Sequence, residues 1–310
     1  MRDKSIKESI EKINILGFGA WQLSNHHDFN GLDYASGVKL VQEAIKKGIN
    51  FFDTAPNYGL GTSEKVIGDA VKGKRDDIFI NTKFGHHTDN TVDFDVSKMI
   101  HSIEGSLNRL QTTYLDSVIL HNPEMDILKG NQGHYDELEK MKSEGKIRLY
   151  GVSIDTLEEF DIALNIPKID VIEIMFNLIH QHPKVFFKKA REKNILLIIK
   201  IPFDSGWLTG KYHPDMVFND IRSRWSKQDK IIRYNVIEKI KKITSEKNMI
   251  KNALAFIKSF KEINVIVPGI KNIGQLYSNL ESISYELPIN EKHRLENFYE
   301  SHIKQLNIPW

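Results

Sequence analysis

The stretch VKLVQEAIKKGINFFD, residues 38–53, decides the fold. Val38, Val41, Ala44 and Ile45 recur at helical spacing and share one face, and Gly48 stands where helices commonly stop. INFFD (49–53) follows as a short apolar run closed by an acid. A run of this length, apolar almost throughout, suits a strand buried on both faces of a parallel sheet. Helix, glycine, buried strand is the repeating unit of an α/β protein.

The unit recurs outward in both directions. Runs of the same kind are ILGFG (15–19), DIFIN (77–81), SVILH (117–121), RLYGVS (148–153), VIEIMF (171–176), ILLIIK (195–200) and NVIVPG (264–269). Amphipathic stretches lie between most of them, among them MIHSIEGSLNRL, HYDELEKMKSEG, TLEEFDIAL, VFFKKAREKN and KNALAFIKSF. Eight strands alternating with helices predict an α/β fold, a closed (β/α)8 TIM barrel with right-handed crossovers, as one domain over residues 1–310. An open, doubly wound sheet is the alternative, but GFGAWQLSN at the first strand–helix junction lacks the G-x-G-x-x-G of a dinucleotide fold. The stretch at about 201–232 breaks the rhythm and reads as an extended loop over the active face.

Composition narrows the function. Forty-three basic against forty-one acidic residues leave a net charge of +2, which argues against nucleic acid as the main partner. The absence of cysteine excludes disulfides, thiolate metal sites and a cysteine nucleophile. The first twelve residues, MRDKSIKESIEK, are too charged for a signal peptide, and no apolar run approaches the roughly 20 residues of a membrane span. The expectation is a cytoplasmic protein acting on a small molecule, without a membrane or nucleic-acid partner. Monomer and homo-oligomer suit the sequence equally.

Barrel enzymes carry their chemistry at the carboxyl ends of the strands. Asp53 ends INFFD, with Tyr58 five residues on; Lys83 ends DIFINTK, His121 ends SVILH, and Ser153 ends RLYGVS. Singly, each has an ordinary reading: Asp53 as a turn cap, Tyr58 as a packed loop aromatic, His121 as a structural histidine. Lys83 is harder to set aside, because a lysine closing a buried strand needs a partner. Together they describe a proton donor. A phenol is a weak acid near neutral pH, a nearby ammonium stabilises its phenolate, an aspartate orients that ammonium, and imidazole fixes a carbonyl oxygen.

The chain resembles the aldo-keto reductase superfamily, bacterial type, over nearly its full length. The matching segments are GFGAWQL, FFDTAPNYGLGTSEKVIG, IFINTKFG, SIEGSLNRLQTTYLDSVILHNP, LEKMKSEGKIRLYGVS, WLTGKY and VIVPGIKNIGQLYSNL. The resemblance implies carbonyl reduction by NADPH (NADP+ in reverse), with Asp53, Tyr58, Lys83 and His121 as an intact catalytic tetrad. It places Tyr58 as general acid, Lys83 as the group lowering its pKa, Asp53 orienting Lys83, and His121 holding the carbonyl. For the cofactor it implies Ser153 at the nicotinamide amide, an aromatic at Phe176, and Pro202, Phe203, Ser205 and Lys211 along the phosphates. Gly269, Lys271, Gln275 and Asn279 match the segment for the adenosine half. Two positions depart from the family: Ile154 where asparagine is common, and Glu173 where glutamine is. A carboxylate can accept from the amide but cannot donate to it.

NADPH is expected over NADH, because Lys211, Lys271, Arg222 and Arg224 are placed to meet a 2′-phosphate. Trp21 joins the cofactor residues and, with His26, Asn57, Phe84, His86, Asn122 and Trp310, is expected to wall the substrate pocket, which suits a sugar-like or small carbonyl. Two other functions stand beside this one. Potassium-channel β-subunits resemble the family and keep such a tetrad in a cofactor-sensing role. A metal-dependent barrel hydrolase or isomerase is suggested by His26/His27 and His86/His87, but the strand-end ligand pattern it requires is missing, and no metal is expected.

Overall fold

The computed structural model describes residues 10–23 and 31–310. Its eight strands are all parallel and follow chain order in one sheet. They are β1 (Phe18–Gly19), β2 (Phe51–Asp53), β3 (Phe79–Phe84), β4 (Leu115–His121), β5 (Ile147–Ile154), β6 (Val171–Met175), β7 (Leu196–Lys200) and β8 (Val265–Val267). The barrel closes where Gly17 and Gly19 donate to the carbonyls of Ile266 (2.8 Å) and Pro268 (2.9 Å), and Ile266 donates back to Ile15 (2.8 Å). A Cβ on Gly19 would lie 2.7 Å from the Val267 carbonyl oxygen, so a side chain is excluded from this seam.

The helices alternate with the strands: α1 (Tyr34–Lys46), α2 (Thr62–Ala70), α3 (Met99–Leu110), α4 (His134–Ser143), α5 (Leu157–Asn165) and α6 (Phe187–Glu192). Two helices, α7 (Lys227–Ile243) and α8 (Met249–Lys258), separate β7 from β8. After β8 come α9 (Ile273–Ile283) and α10 (Ile289–Phe298). Local chemistry sets the helix ends. Asp33 caps α1 by accepting from the Ser36 amide, and Gly48 leaves the helix at φ 92°. The extended loop after β7 ends at Ser226 rather than near 232. Ser226 and Asp229 form a capping box there and start α7 at Lys227.

Strand alternation divides the core into two layers. Phe52, Ile80, Val118, Leu120, Val152, Ile172 and Ile199 face outward beneath the helices. Phe51, Phe79, Ile119, Leu149, Val171, Leu196, Ile198, Val265 and Val267 fill the barrel interior, with Ile10 and Ile13 packed against them. Toward the carboxyl ends, the buried residues on the same strands turn polar: Asp53, Asn81, Lys83, Ser117, Ser153 and Glu173. The apolar lower half is the floor on which the polar upper half is built. Among the described residues, no helix is long and apolar enough to cross a membrane.

Candidate active site

The barrel register brings the four strand-end residues together. Lys83 Nζ donates to Asp53 Oδ1 at 2.5 Å and to the Thr54 carbonyl at 3.0 Å. Asn81 also donates to Asp53 Oδ1 (2.8 Å), and Ser117 fixes Asn81 by donating to its Oδ1 (2.5 Å). Lys83 Nζ lies 5.2 Å from the Tyr58 ring centroid, and the Tyr58 ring meets His121 edge-on at 6.0 Å. Trp21 also stacks on Tyr58, at 6.1 Å.

Glu173 adds a second carboxylate: its Oε2 is 3.7 Å from Lys83 Nζ, and its Oε1 accepts from Ser153 at 2.8 Å. Sequence reasoning did not single out Lys200. Its Nζ donates to Ser153 Oγ (2.9 Å) and Asn122 Oδ1 (3.1 Å) and pairs with Asp155 at 2.9 Å. The signal was present, since ILLIIK ends in a polar residue as the other site strands do.

The electrostatics follow from burial among charges. Burial alone would favour neutral Lys83, but Asp53, Glu173 and Tyr58 more than offset it and hold the ammonium protonated. Burial, reinforced by Glu173, raises the Asp53 pKa against the pull of Lys83. Burial also raises the Tyr58 phenol; Lys83 opposes the rise, as expected, without cancelling it. His121 is driven well below its ordinary value by burial and by Lys83, His86 and Lys200, so the imidazole is neutral. A neutral ring can donate to a carbonyl oxygen without competing as an acid.

Other expected residues divide sharply. His86 stacks on His121 at 4.2 Å and belongs to the site. Phe84 instead packs edge-on against His87 (5.8 Å) and Phe94 (6.0 Å) in the outer layer. Phe176 is likewise not brought to the tetrad. It is fully buried against Phe187 (4.9 Å) and Phe260 (5.1 Å), under the helices. Ile154 lies in that same outer layer. His26 and His27 fall outside the described residues, and His87 is engaged with the Asp93 carbonyl (2.8 Å). Among the described residues, no group of three or more His, Asp or Glu side chains is arranged to hold a metal ion.

The surroundings suit a dinucleotide with an amide-bearing ring. Glu173 Oε2 is buried without a hydrogen bond, and Ser153 and Lys200 stand beside it. Directly after β7, φ is positive at Ile201, Asp204, Ser205 and Gly206, and the Asp204 and Gly206 amides donate to the Ile201 (3.2 Å) and Phe203 (2.8 Å) carbonyls, closing a tight turn at the strand's carboxyl end. Pro202 and Phe203 lie within that turn, which Asp204 anchors through a fully buried pair with Arg233 (2.8 Å). Arg233 also donates to the Pro309 carbonyl. Of the four basic residues expected near a 2′-phosphate, Arg222 is paired with Asp220, and Arg224 lies over the rings of Trp225 (4.7 Å) and Trp310 (4.5 Å). Lys211 is exposed and Lys271 half-buried. Near Gly269, Gln275 accepts from the Lys271 amide (2.9 Å), and Asn279 is buried on α9.

Comparison with known proteins agrees over the whole barrel. A family model described as the Aldo/keto reductase family matches residues 15–300. The chain is similar to the aldo-keto reductase YhdN of Bacillus subtilis, 26% identical over 98% of this chain and 95% of that protein. It is also similar to L-galactose dehydrogenase of Arabidopsis thaliana, 28% identical over 88% of this chain and 85% of that one. The holo form of aldo-keto reductase AKR11C1 from Bacillus halodurans superimposes with a TM-score of 0.79 at 22% identity, covering 96% of each chain.

Proposed function

Because the chain belongs to the aldo/keto reductase family and is an NAD(P)H-dependent oxidoreductase, we propose that it reduces an aldehyde or ketone of sugar-like character, with NADPH preferred over NADH. The observation that carries this reading is the 2.5 Å bond from Lys83 to Asp53 beneath Tyr58, with a neutral His121 alongside. The bound cofactor supplies hydride to the carbonyl carbon. Tyr58 gives its phenolic proton to the carbonyl oxygen, which converts the developing alkoxide to an alcohol. Lys83 stabilises the phenolate left behind, Asp53 keeps the ammonium aimed at it, and His121 holds the same oxygen by donation.

For the cofactor, Trp21, Ser153 and Glu173 serve the nicotinamide end, and Phe176 acts only by packing the strand behind them. Pro202, Phe203, Ser205 and Lys211 serve the phosphates, with the loop after β7 lying over the active face. Gly269, Lys271, Gln275 and Asn279 serve the adenosine half. Lys211 and Lys271 support the preference for a 2′-phosphate, since Arg222 and Arg224 are committed elsewhere. A cytoplasmic setting suits this cofactor. The polar cluster of Asn122, Lys200 and Asp155 favours a hydroxylated substrate, in keeping with a relative named for L-galactose.

The test is a screen of cofactor oxidation against aldehydes, ketones, aldoses and oxidised polyols, run in both directions with NADPH and NADH. Rapid turnover with a hydroxylated carbonyl and NADPH is the expected result. Slow turnover with retained cofactor would instead favour a sensing role like that of channel β-subunits.

A further inference from the structure

We infer that Glu173 gives the cavity floor a surplus negative charge that the oxidised, cationic nicotinamide neutralises, so that the site binds NADP+ more tightly relative to NADPH than a neutral residue there would allow. The inference rests on the dinucleotide reading above. It concerns the charge of Glu173, which no resemblance to the family supplies, since glutamine is usual at this position.

The charged groups facing this floor come from β2, β3, β6 and β7 and from just beyond β5. Asp53 stands on β2, Lys83 on β3, Glu173 on β6 and Lys200 at the end of β7, with Asp155 just beyond β5. Lys83 serves both Asp53 (2.5 Å) and Glu173 (3.7 Å), while Lys200 is taken by Asp155 (2.9 Å). Three carboxyl groups therefore face two ammonium groups, and because burial and Glu173 raise the Asp53 pKa to about 7, all three are charged, and the surplus is complete, only above that pH. His121 on β4 and His86 beyond β3 do not restore the balance, because burial and the nearby cations keep both toward neutrality. The surplus shows in two ways. Glu173 Oε2 is buried without a hydrogen-bond partner, and the pressure of Glu173 contributes to raising the Asp53 pKa.

Chemistry places the ring beside this surplus. A carbonyl oxygen held by Tyr58 and His121 must have its hydride donor about 3–3.5 Å from the carbonyl carbon. A ring placed to meet that carbon would lie beside Lys83 and Glu173. Hydride departure takes two electrons and leaves the ring one positive charge richer, and a buried carboxylate lowers the free energy of that product in a site where water screens little. Glu173 thereby makes the bound cofactor a stronger hydride donor.

The experiment needs no substrate. Dissociation constants for NADP+ and for NADPH are measured by tryptophan fluorescence or calorimetry at about pH 9, above the raised pKa of Asp53, in the wild type, Glu173→Gln, Glu173→Asp and Lys200→Met. Glu173→Gln should raise the ratio Kd(NADP+)/Kd(NADPH) by about tenfold. Glu173→Asp keeps the charge and should leave the ratio near the wild-type value. Lys200→Met removes a cation and should move it the opposite way. An unchanged ratio in Glu173→Gln, or shifts of the same sign in Glu173→Gln and Lys200→Met, overturns the inference while leaving the reductase reading intact. If Glu173→Gln does not fold, an unchanged ratio in Lys200→Met overturns it equally. Failure of the wild type to bind either form overturns both the inference and the dinucleotide reading.

Discussion

Lys83 Nζ lies 3.7 Å from Glu173 Oε2, and both side chains are almost sealed from solvent. With Asp53 on the nearer side, one ammonium serves two carboxylates carried by β2 and β6. This three-group arrangement changes what each substitution in the site is expected to do.

Asp53→Ala is the clearest case. Breaking a buried pair typically costs about 3–5 kcal/mol, because the remaining charge is stranded. Here Glu173 remains to face Lys83, so the single substitution should fall below that range, and Asp53→Ala combined with Glu173→Ala should reach it. Urea unfolding of both variants decides the matter. Equal losses in the two would show that Glu173 does not share the ammonium.

Tyr58→Phe keeps the ring against Trp21 and His121 but removes the phenolic hydroxyl. Turnover should drop by at least about 10²-fold, the scale of a lost general acid. NADPH affinity should hardly change. Turnover close to the parent's would remove Tyr58 from its role.

Lys83→Met tests the tuning of that phenol. Burial raises the Tyr58 pKa, and Lys83 is the principal force pulling it back. Without the ammonium the phenol rises further. Alcohol oxidation, in which Tyr58 must accept a proton, should then need a distinctly higher pH than the parent. The midpoint of the rate–pH profile for oxidation is the measurement, and an unmoved midpoint refutes the claim.

Cofactor choice is tested by Lys211→Ala with Lys271→Ala. If these residues meet the 2′-phosphate, NADPH binding should weaken more than NADH binding. One charge-assisted contact is worth about 1.5–3 kcal/mol, so the preference should fall tenfold or more. Equal weakening of both would assign the lysines to the pyrophosphate alone.

His121 predicts a dependence of stability on acid. Its folded-state pKa is depressed well below the unfolded value of about 6.5, so the unfolded chain takes up a proton first as pH falls. The stability that neutral His121 provides is complete above about pH 6.5. Below that it is lost at up to about 1.4 kcal/mol per pH unit, until the folded pKa is passed. Asp53, with a raised pKa, acts in the opposite sense, because its folded form binds the proton more readily. The two are separated by comparing urea unfolding of the wild type and His121→Asn at pH 7.5 and 5. The wild type should lose stability relative to the variant on acidification. A constant difference would mean that His121 is not held neutral by the fold.

Much of this site was legible in the sequence, because a parallel barrel sends the residues that close its strands into one cavity. Asp53, Lys83, His121 and Ser153 could be read as such closing residues, and Lys200 follows the same rule. Side-chain parity decides the rest. Leu196, Ile198 and Lys200 alternate into the barrel, whereas Ile154 and Phe176 join the outer layer beneath the helices. Phe176 directly follows a short strand whose inward face is marked by Val171, so its place depends on where that strand ends. The approach of Glu173 to Lys83 was not legible. β3 and β6 do not pair with each other, and only barrel closure brings their side chains across the interior. The partners of Arg222, Arg224 and Arg233 were hidden similarly, since they lie in a loop whose course no periodicity describes and at the C-terminal Pro309 and Trp310.

The apolar packing of the lower barrel also bears on the order of events in catalysis. With Phe51, Phe79, Leu149, Val171 and Val265 filling the interior below Lys83, nothing can reach the tetrad from that end. The mouth at the carboxyl ends of the strands is the common route for every ligand. Whichever ligand reaches deepest must arrive first and depart last.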